Sequence, residues 1–179
     1  MEGWKLADLT PRQQRLLEML RDDREPITGT RLAEACEVTR QVVVHDIAVL
    51  RAAGIDILST PRGYWLQTSE NTDVRPTHIL AVCHRPDQTA DELFTLVDHG
   101  ITVLDVTVEH PLYGELHGSL HLSSRKDVEW FMQQCARSSA TFLSSLTDGH
   151  HLHNIAYPSH QRLQEAIAEL RRIGIQVFE

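Results

Sequence analysis

The first 67 residues carry a run of local signals that few folds can satisfy. Thr10-Pro11 is a helix start, with threonine as the N-cap and proline in the first turn. A short second helix is predicted from Thr28 or Gly29, and after a turn Thr39 is a good N-cap for a third helix. The predicted order is therefore one helix followed by a helix–turn–helix.

The third helix is predicted to end at Ala53, because Gly54 follows in the position that favours a left-handed residue. The apolar spacing turns these side chains of the helix inward: Val42, Val43, Ile47 and Leu50. Two strand-like segments come next, residues 55–60 and 64–67, joined by Pro61-Arg62-Gly63. A β-hairpin after a helix–turn–helix is the layout of a winged helix-turn-helix domain.

The start of the third helix supplies candidates for contacts with DNA, since the second helix of a helix–turn–helix enters the major groove. Arginine can bind guanine and glutamine can bind adenine, each through two hydrogen bonds. An arginine at the tip of the hairpin can reach the DNA backbone or the minor groove. The candidate DNA-binding residues are Thr39, Arg40, Gln41, His45 and Arg62. The same geometry also serves as a platform for protein interactions, and the pattern alone leaves that alternative open.

The charge of the chain limits how it can bind DNA. The net charge is −8, which argues against non-specific binding of nucleic acid by the chain as a whole. Residues 1–67 hold 9 Lys and Arg against 10 Asp and Glu, and the rest of the chain holds 8 against 15. A nearly neutral DNA-binding domain needs a focused patch and a second copy. We therefore expect a homodimer on operator DNA with two half-sites.

The stretch from residue 67 to 73 reads as a linker. It is polar and lacks large apolar residues. Ten of the eleven histidines lie beyond it, between His78 and His160. We therefore predict two domains with different functions, residues 1–69 and residues 75–179.

The second domain is predicted to be α+β. Its predicted order is β-α-β-β-α-β-α-β, with strands at 78–83, 101–108, 114–122, 151–157 and 175–178 and helices beginning near Thr89 or Asp91, Ser123-Ser124 and Ser159. The last helix carries apolar residues at helical spacing on one side only. We expect an α/β sandwich with the helices on one face of a mixed sheet.

A pair of histidines in the fourth of these strands suggests a metal site. Residues two apart on a strand point to the same face, so His151 and His153 project together. His84 ends the first strand, and Glu92 lies in the first turn or so of the helix after it, so both can face one point. Three imidazoles and one carboxylate suit Zn²⁺, Ni²⁺ or Fe²⁺.

Other interpretations of the histidines stay open at this point. A single histidine is more often a surface or hydrogen-bonded residue than a ligand, and a chance His-x-His is not rare among eleven histidines. His117 and His121 also share a strand face, and we interpret them as solvent-facing. Cys83 borders His84, but strand alternation turns it to the opposite face.

The connection from residue 109 to 115 concentrates polar chemistry in a loop. Two carboxylates, an imidazole and a phenol lie within seven residues: Glu109, His110, Tyr113 and Glu115. Such loops often line ligand pockets. Plain turn chemistry shaped by Pro111 and Gly114 is the alternative.

Two sets of residues resemble the niacin-responsive transcriptional repressor family (NiaR type). Residues 32–34, 39–51 and 60–64 look like its winged-helix domain, and the C-terminal part resembles its 3H domain, named for three histidines. The 3H motifs matched are His84 with Glu92, the segment 108–115 (Val-Glu-His-Pro-Leu-Tyr-Gly-Glu) and His151-Leu152-His153. The resemblance covers about residues 10 to 178, and the second and third motifs are its most specific part.

The resemblance implies a function. Members of that family repress genes for NAD synthesis or for niacin salvage and transport, with nicotinic acid as co-repressor. Their regulatory domain holds a metal on three histidines and one glutamate, which here correspond to His84, Glu92, His151 and His153. It thus implies one divalent transition metal per chain, Ni or Zn. His150 is an extra histidine, and strand parity with His153 favours His151 as the ligand.

A mechanism follows as a hypothesis. Dimerised 3H domains would hold two winged helices, and the nicotinate carboxylate would fill an open metal position or meet a donor such as His110 or Tyr113. We therefore name Glu109, His110, Tyr113 and Glu115 as candidate effector-binding residues. Binding would change the spacing of the two recognition helices, through a coupling of about 1–3 kcal/mol as in typical allostery.

Two other functions compete with this one. In a metal-responsive repressor the metal itself would be the signal. In a metal-dependent hydrolase Glu109 or Glu115 would act as base near an open metal. Fusion to a DNA-reading domain argues against an enzyme, and we see no nucleophile motif or phosphate-binding glycine loop. We expect no catalytic residues.

The remaining features point to the cytoplasm. The apolar runs are far too short to span a bilayer, and the start of the chain lacks a basic region followed by an apolar stretch, so we expect no signal peptide. The three cysteines, Cys36, Cys83 and Cys135, are far apart and form no zinc motif or disulfide framework. A reducing compartment and no membrane partner are expected.

Overall fold

The computed structural model describes residues 9–23, 25–68, 74–138 and 141–178. The chain divides into two compact units, residues 1–72 and 73–179. Most of the predicted linker, residues 69–73, lies outside the described residues, as do residues 1–8 of the predicted N-terminal domain and residue 179. None of the helices in the described ranges is long and apolar enough to cross a membrane.

The N-terminal unit has the predicted winged helix-turn-helix order. Its elements are α1 (Pro11–Asp22), α2 (Gly29–Ala35), α3 (Arg40–Ala52), β1 (Ile57–Thr60) and β2 (Gly63–Leu66). Thr10 caps α1 in a capping box with Gln13, and Thr28 caps α2. The hairpin begins two residues later than predicted because the backbone N–H of Ile55 bonds to the carbonyl of Leu50 and closes the end of α3.

The core of this unit lies between the three helices and the hairpin. Its fully buried side chains include Leu16, Leu32, Val43, Ile47 and Leu50. Val42 is only half-buried, whereas Asp46, whose charge argues against burial although the helical period allows it, is fully buried. The inward face of α3 is therefore rotated toward Asp46 relative to the prediction.

The C-terminal unit has the predicted order of element types. Its elements are β3 (Thr77–Cys83), α4 (Thr89–Asp98), β4 (Thr102–His110), β5 (Gly114–Leu122), α5 (Arg125–Arg137), β6 (His150–Ala156), α6 (His160–Arg172) and β7 (Gln176–Phe178). Two short 3₁₀ segments, Pro86–Gln88 and Leu143–Thr147, precede α4 and β6. The α+β class is confirmed.

The sheet is antiparallel, and the prediction of a mixed sheet was wrong in this respect. The strand order is β5-β4-β6-β3-β7, and each of the four described pairings is antiparallel. The crossover through α4 makes β3 and β4 run in the same direction, but β6 inserts between them and pairs with both. Local patterns cannot reveal such an insertion, because it depends on which strands pair.

The helices cover one face of the sheet, as predicted. Side chains of α4, α5 and α6 pack with alternate residues of the strands in one core: Leu80, Val82, Leu93, Leu96, Val128, Ile155, Leu163 and Leu170 among others. On the other face Ile79 is 56 % exposed and Leu152 is 39 % exposed. The strand residues that alternate with these two therefore face the helices.

Candidate metal centre and nucleic-acid interface

The pairing of β6 with β3 carries two histidines into the interior. His151 lies opposite Val82 and His153 lies opposite Leu80, and both apolar partners face the helices. Glu92 is in the first turns of α4, the helix that covers this part of the sheet. His84 follows the last residue of β3. The four side chains are each at most 3 % exposed.

The structure brings together all four residues that the sequence predicted as metal ligands. Oε2 of Glu92 lies 2.8 Å from Nε2 of His84 and 3.5 Å from Nε2 of both His151 and His153. The donor atoms of His84, Glu92 and His151 all lie within 4.8 Å of one another. One carboxylate oxygen is thus surrounded by three imidazole nitrogens.

The other nitrogen of each ring determines where its proton lies. Nδ1 of His84 is 2.8 Å from the carbonyl of Arg85, Nδ1 of His151 is 2.9 Å from that of Gly149, and Nδ1 of His153 is 2.7 Å from that of Asp105. A carbonyl oxygen only accepts, so Nδ1 is the donor in each ring. In the neutral rings the three Nε2 lone pairs therefore point toward a carboxylate, and only positive charge can hold four such acceptors together.

The electrostatics of the cluster favour positive charge. Burial lowers the pKa of His84, but the hydrogen bond and charge of Glu92 outweigh burial and leave that pKa raised. Burial also lowers the pKa of His153, but the charge of Glu92 and its hydrogen bond to the ring outweigh burial and leave that pKa raised. Burial would raise the pKa of Glu92, yet the charge of His153 and the hydrogen bonds of the imidazoles hold it well below its usual range. Protons and a metal cation would compete for this place.

Two further observations fit a metal ion. Neighbouring ligands of one transition-metal ion with bonds of 2.0–2.1 Å lie about 3 Å apart, between the 2.8 Å from Oε2 of Glu92 to Nε2 of His84 and the 3.5 Å from Oε2 to the Nε2 atoms of His151 and His153. The second oxygen of Glu92, Oε1, is buried without a hydrogen-bond partner. A donor set of three imidazole nitrogens and a carboxylate suits Zn²⁺ or Ni²⁺.

Gly149 positions two of these histidines, a role that sequence reasoning missed. Its carbonyl accepts hydrogen bonds from Nδ1 of His151 and from the backbone N–H of His84. Its φ is +91°, and a Cβ at this position would lie 2.2 Å from the carbonyl oxygen of His84. Only glycine permits this close approach. The Asp-Gly pair just before the strand was the available signal.

His150 lies on the opposite side of β6 from the cluster. It is exposed and its ring stacks on Phe178, with 5.8 Å between ring centroids. His117 is also on an exposed position, where the Thr107 hydroxyl lies 2.9 Å from its Nδ1. His117 is opposite Thr107, which is opposite the exposed Leu152, so both His117 and His150 lie on the other face of the sheet from the buried histidines.

A cavity of about 500 Å³ adjoins the cluster at His84. Its walls come from the end of β3, the 3₁₀ segment before α4, the turn before β6 and the last strand: Cys83, Arg85, Pro86, Gln88, Ser145, Asp148, Gly149, Gly174 and Gln176. Arg85 forms an exposed ion pair with Asp87. The cavity is large enough for a small aromatic acid.

The four predicted effector residues lie on a separate hairpin. Glu109 pairs with Glu115 across the β4–β5 ladder, and the rings of His110 and Tyr113 are 4.9 Å apart. Tyr113 is 74 % exposed. The hydrogen-bond partners of the buried histidines are Glu92 and backbone carbonyls, and the cavity walls come from other segments. The structure does not bring this hairpin into the cluster.

The predicted DNA-binding residues lie on the outer side of the N-terminal unit. Thr39, Arg40, Gln41 and His45 are exposed along the first turns of α3. Arg62 is in the hairpin tip and pairs with Glu25 at 2.7 Å. These positions are available to a DNA groove.

Val44 also lies on the exposed face of α3, although the sequence analysis did not name it as a candidate DNA-binding residue. It is 49 % exposed, three residues after Gln41 and four before the exposed Ala48. Helical spacing from Gln41 would have found it. An apolar side chain at this place can contact the methyl group of thymine.

Asp46 anchors α3 from its inner side. Its carboxylate accepts hydrogen bonds from Nε and Nη2 of Arg12 and from the Gln13 amide of α1. Burial would raise the pKa of Asp46, but these hydrogen bonds and the charge of Arg12 leave it lowered. This bidentate pair fixes the orientation of the helix that carries Gln41.

Comparison with known proteins agrees with both halves of the molecule. Residues 12–65 match the model of an HTH domain, and residues 77–179 match the model of the 3H domain. The chain is 37 % identical over 167 residues to the transcription repressor NadR of Bacillus subtilis, covering 93 % of each chain. It is 38 % identical over 173 residues to the probable transcription repressor NiaR of Thermotoga maritima, covering 95 % of this chain and 97 % of that relative.

An HTH domain followed by a 3H domain defines a class of DNA-binding transcription regulator. The chain belongs to the 3H-domain family of transcription repressors that includes NadR and NiaR. The prediction of a repressor family is thereby confirmed, and so is the prediction that the chain is not an enzyme. The residue roles within the family fold remain predictions.

Proposed function

We propose that this protein is a DNA-binding repressor of genes for NAD biosynthesis or for niacin salvage and transport, with nicotinic acid as its co-repressor. The observation that carries the proposal is the buried set of three imidazoles and one carboxylate in a unit joined to an HTH domain. The relatives named as transcription repressors along nearly the whole chain support the DNA-binding part.

The N-terminal unit would read the operator through α3. Arg40 would bind guanine and Gln41 would bind adenine in the major groove, with His45 one turn further along. Thr39 would contact a phosphate, and Arg62 would exchange its partner Glu25 for the DNA backbone or the minor groove. Two copies on two half-sites would compensate for the small net charge of this unit, so we propose a homodimer.

The C-terminal unit would hold one divalent cation, Ni²⁺ or Zn²⁺, on His84, Glu92, His151 and His153. Such a cation supplies a Lewis acid that can take an oxygen of a small acid as a further ligand. The carbonyls of Arg85, Gly149 and Asp105 keep the imidazoles in the required tautomer. Their burial shields the site from bulk solvent.

Two places could take the rest of the nicotinate. The cavity beside His84 is the place that the geometry of this chain supports. The hairpin residues Glu109, His110, Tyr113 and Glu115 would contribute only if they reach a bound effector from elsewhere in the assembly. Alanine variants of His110 and Tyr113 separate the two, because nicotinate affinity falls only if the hairpin takes part.

Operator binding with metal and nicotinate varied independently tests the function. The proposal predicts that nicotinate changes operator affinity of the metal-loaded protein at least about fivefold, the lower end of typical allosteric coupling. A metal-responsive repressor, which the same buried ligand set favours, would respond to chelation and ignore nicotinate. Equal operator affinity under all four conditions would reject both functions.

Elemental analysis tests the ligand assignment. Replacing His151 and His153 by alanine should remove the metal, and one equivalent per chain should remain in His150→Ala, the adjacent exposed control. Full metal retention in the double variant would reject the site.

A further inference from the structure

Two buried polar atoms on α4 have no hydrogen-bond partner among the residues that the structure describes. They are Oγ1 of Thr89 and Oε1 of Glu92. The two residues are three apart in one helix, so their side chains are neighbours on the same helix face. Two unpartnered groups in one place indicate a common missing partner more than two separate defects.

Within the described part of the chain, the hydroxyl of Thr89 lacks the local hydrogen-bond partner that a threonine in a helix usually has. A threonine in a helix commonly bonds to the carbonyl one turn back, and Thr95 of the same helix does so, with Oγ1 2.7 Å from the carbonyl of Asp91. Thr89 is the first residue of α4, after the 3₁₀ segment Pro86–Gln88. Gln88, not Thr89, occupies the N-cap position. Neither capping nor helix structure therefore explains a buried hydroxyl here.

The surroundings of Thr89 connect it with the cavity. Pro86 and Gln88, which precede it, line the cavity, and so does His84. His84 is also in contact with Glu92 in the ligand cluster. Thr89 thus lies on the chain between a cavity-lining segment and a proposed metal ligand.

We propose that Thr89 is a positioning residue for the non-protein ligand of the metal centre: its hydroxyl donates a hydrogen bond to the oxygen that completes the coordination of the cation. That oxygen belongs to water in the resting protein and to a carboxylate when an effector is bound. The inference rests on the proposed function, since it requires a cation on Glu92 and its histidine partners. It adds a residue that recognises the carboxylate.

Cobalt(II) is the probe for the test, because its visible spectrum reports the ligands of the ion. Wild type, Thr89→Val and Thr89→Ser are titrated with Co²⁺, and the Co²⁺-loaded proteins are then titrated separately with nicotinate and with acetate. Thr95→Val is the matched control on the same helix. The acetate titration shows whether any carboxylate suffices or the pyridine ring is needed.

We expect Thr89→Val to bind Co²⁺ within threefold of wild type, because no ligand is lost. The nicotinate concentration at half the spectral change should rise at least tenfold, and Thr89→Ser and Thr95→Val should stay within threefold. The melting temperature of metal-free Thr89→Val should equal or exceed that of wild type, since valine removes an unpartnered buried hydroxyl. A merely structural threonine would lower it.

The outcomes separate this inference from the function it depends on. A wild type that binds no Co²⁺ overturns the metal centre and the role of Thr89 together. Co²⁺ binding with equal carboxylate titrations for wild type and Thr89→Val overturns the role of Thr89 alone. A wild-type Co²⁺ spectrum that responds to neither acid also overturns that role and leaves the metal centre intact.

Discussion

Nε2 of His84 lies 2.8 Å from Oε2 of Glu92, and both side chains are almost completely shielded from solvent. Nδ1 of the same ring donates to the carbonyl of Arg85, so a neutral His84 presents a lone pair to the carboxylate. Two acceptors at this distance need a proton or a metal cation. The relationship makes Glu92 the residue on which metal binding depends most.

Replacing Glu92 by glutamine should remove high-affinity metal binding. The amide keeps the size of the side chain but loses the charge that attracts the cation, and we expect Ni²⁺ or Zn²⁺ affinity to fall by at least about 100-fold. In wild type, metal at 100 times its Kd should add about 2.7 kcal/mol to the free energy of unfolding. Thermal unfolding with and without metal measures this gain, which the variant should lack. Glu109→Gln, on the exposed hairpin, is the control, and a gain retained by Glu92→Gln would contradict the prediction.

Gly149→Ala should weaken the site without removing a ligand. The new Cβ would meet the carbonyl of His84, and φ at this position is +91°, so the backbone that orients His84 and His151 must shift. Strain of this kind costs about 1–3 kcal/mol. We expect lower stability in urea unfolding and a metal affinity reduced at least tenfold in a competition titration.

Gly114→Ala is the matched control for this strain. Its φ is +69°, but nothing lies within 4 Å of the added Cβ. It should lose a smaller amount of stability, about 1 kcal/mol, and keep wild-type metal affinity. Equal metal affinities for both variants would show that Gly149 does not position the histidines.

Asp46→Asn should destabilise the N-terminal unit in a pH-dependent way. The pKa of Asp46 is lowered in the folded protein, so its contribution to stability is complete above its ordinary pKa of about 3.9 and is lost as the pH falls through the folded value. We expect a loss of about 1–3 kcal/mol at pH 7 and a smaller difference from wild type below about pH 4. Urea unfolding at pH 7 and pH 3.5 measures both, with the exposed Glu18→Gln as control. A difference that grows in acid would refute the assignment.

Val44 should contact a thymine methyl in each half-site. Operators would first be selected from random DNA with the metal-loaded protein, and each thymine would then be replaced by deoxyuridine, which lacks only that methyl. The replacement at one position per half-site should weaken wild-type binding about fourfold, as expected for about 0.8 kcal/mol per buried methyl-sized group. Val44→Ala should bind both DNAs alike. The idea fails if no thymine shows this dependence.

Gln41→Ala should relax the sequence preference rather than abolish binding. A bidentate contact with adenine is worth about 1–3 kcal/mol of discrimination at one base pair. The Gln41→Ala variant should therefore bind an operator altered at that base pair as tightly as it binds the selected operator. If Gln41→Ala discriminates against altered base pairs at every position as strongly as the wild type does, this contact is excluded.

The residue types and their spacing were sufficient for much of this molecule. Capping residues and apolar periods along single elements predicted the winged helix-turn-helix and the order of elements in the second unit. The two-residue period of a strand placed His151 and His153 on one face, which the structure confirms. The end of the first strand and the start of the helix after it gave His84 and Glu92 as their candidate partners, and resemblance to a known family supported that choice. These signals act within one element or across one turn, so the sequence displays them directly.

Pairing between distant segments decided the rest. β6 inserts between β3 and β4, which turns a predicted mixed sheet into an antiparallel one and brings His151 beside His84. Gly149 matters because it approaches a carbonyl 65 residues earlier in the chain, and Asp46 is buried because Arg12 reaches it from another helix. The free energy of such contacts depends on which surfaces exclude water together, and no local period records that choice.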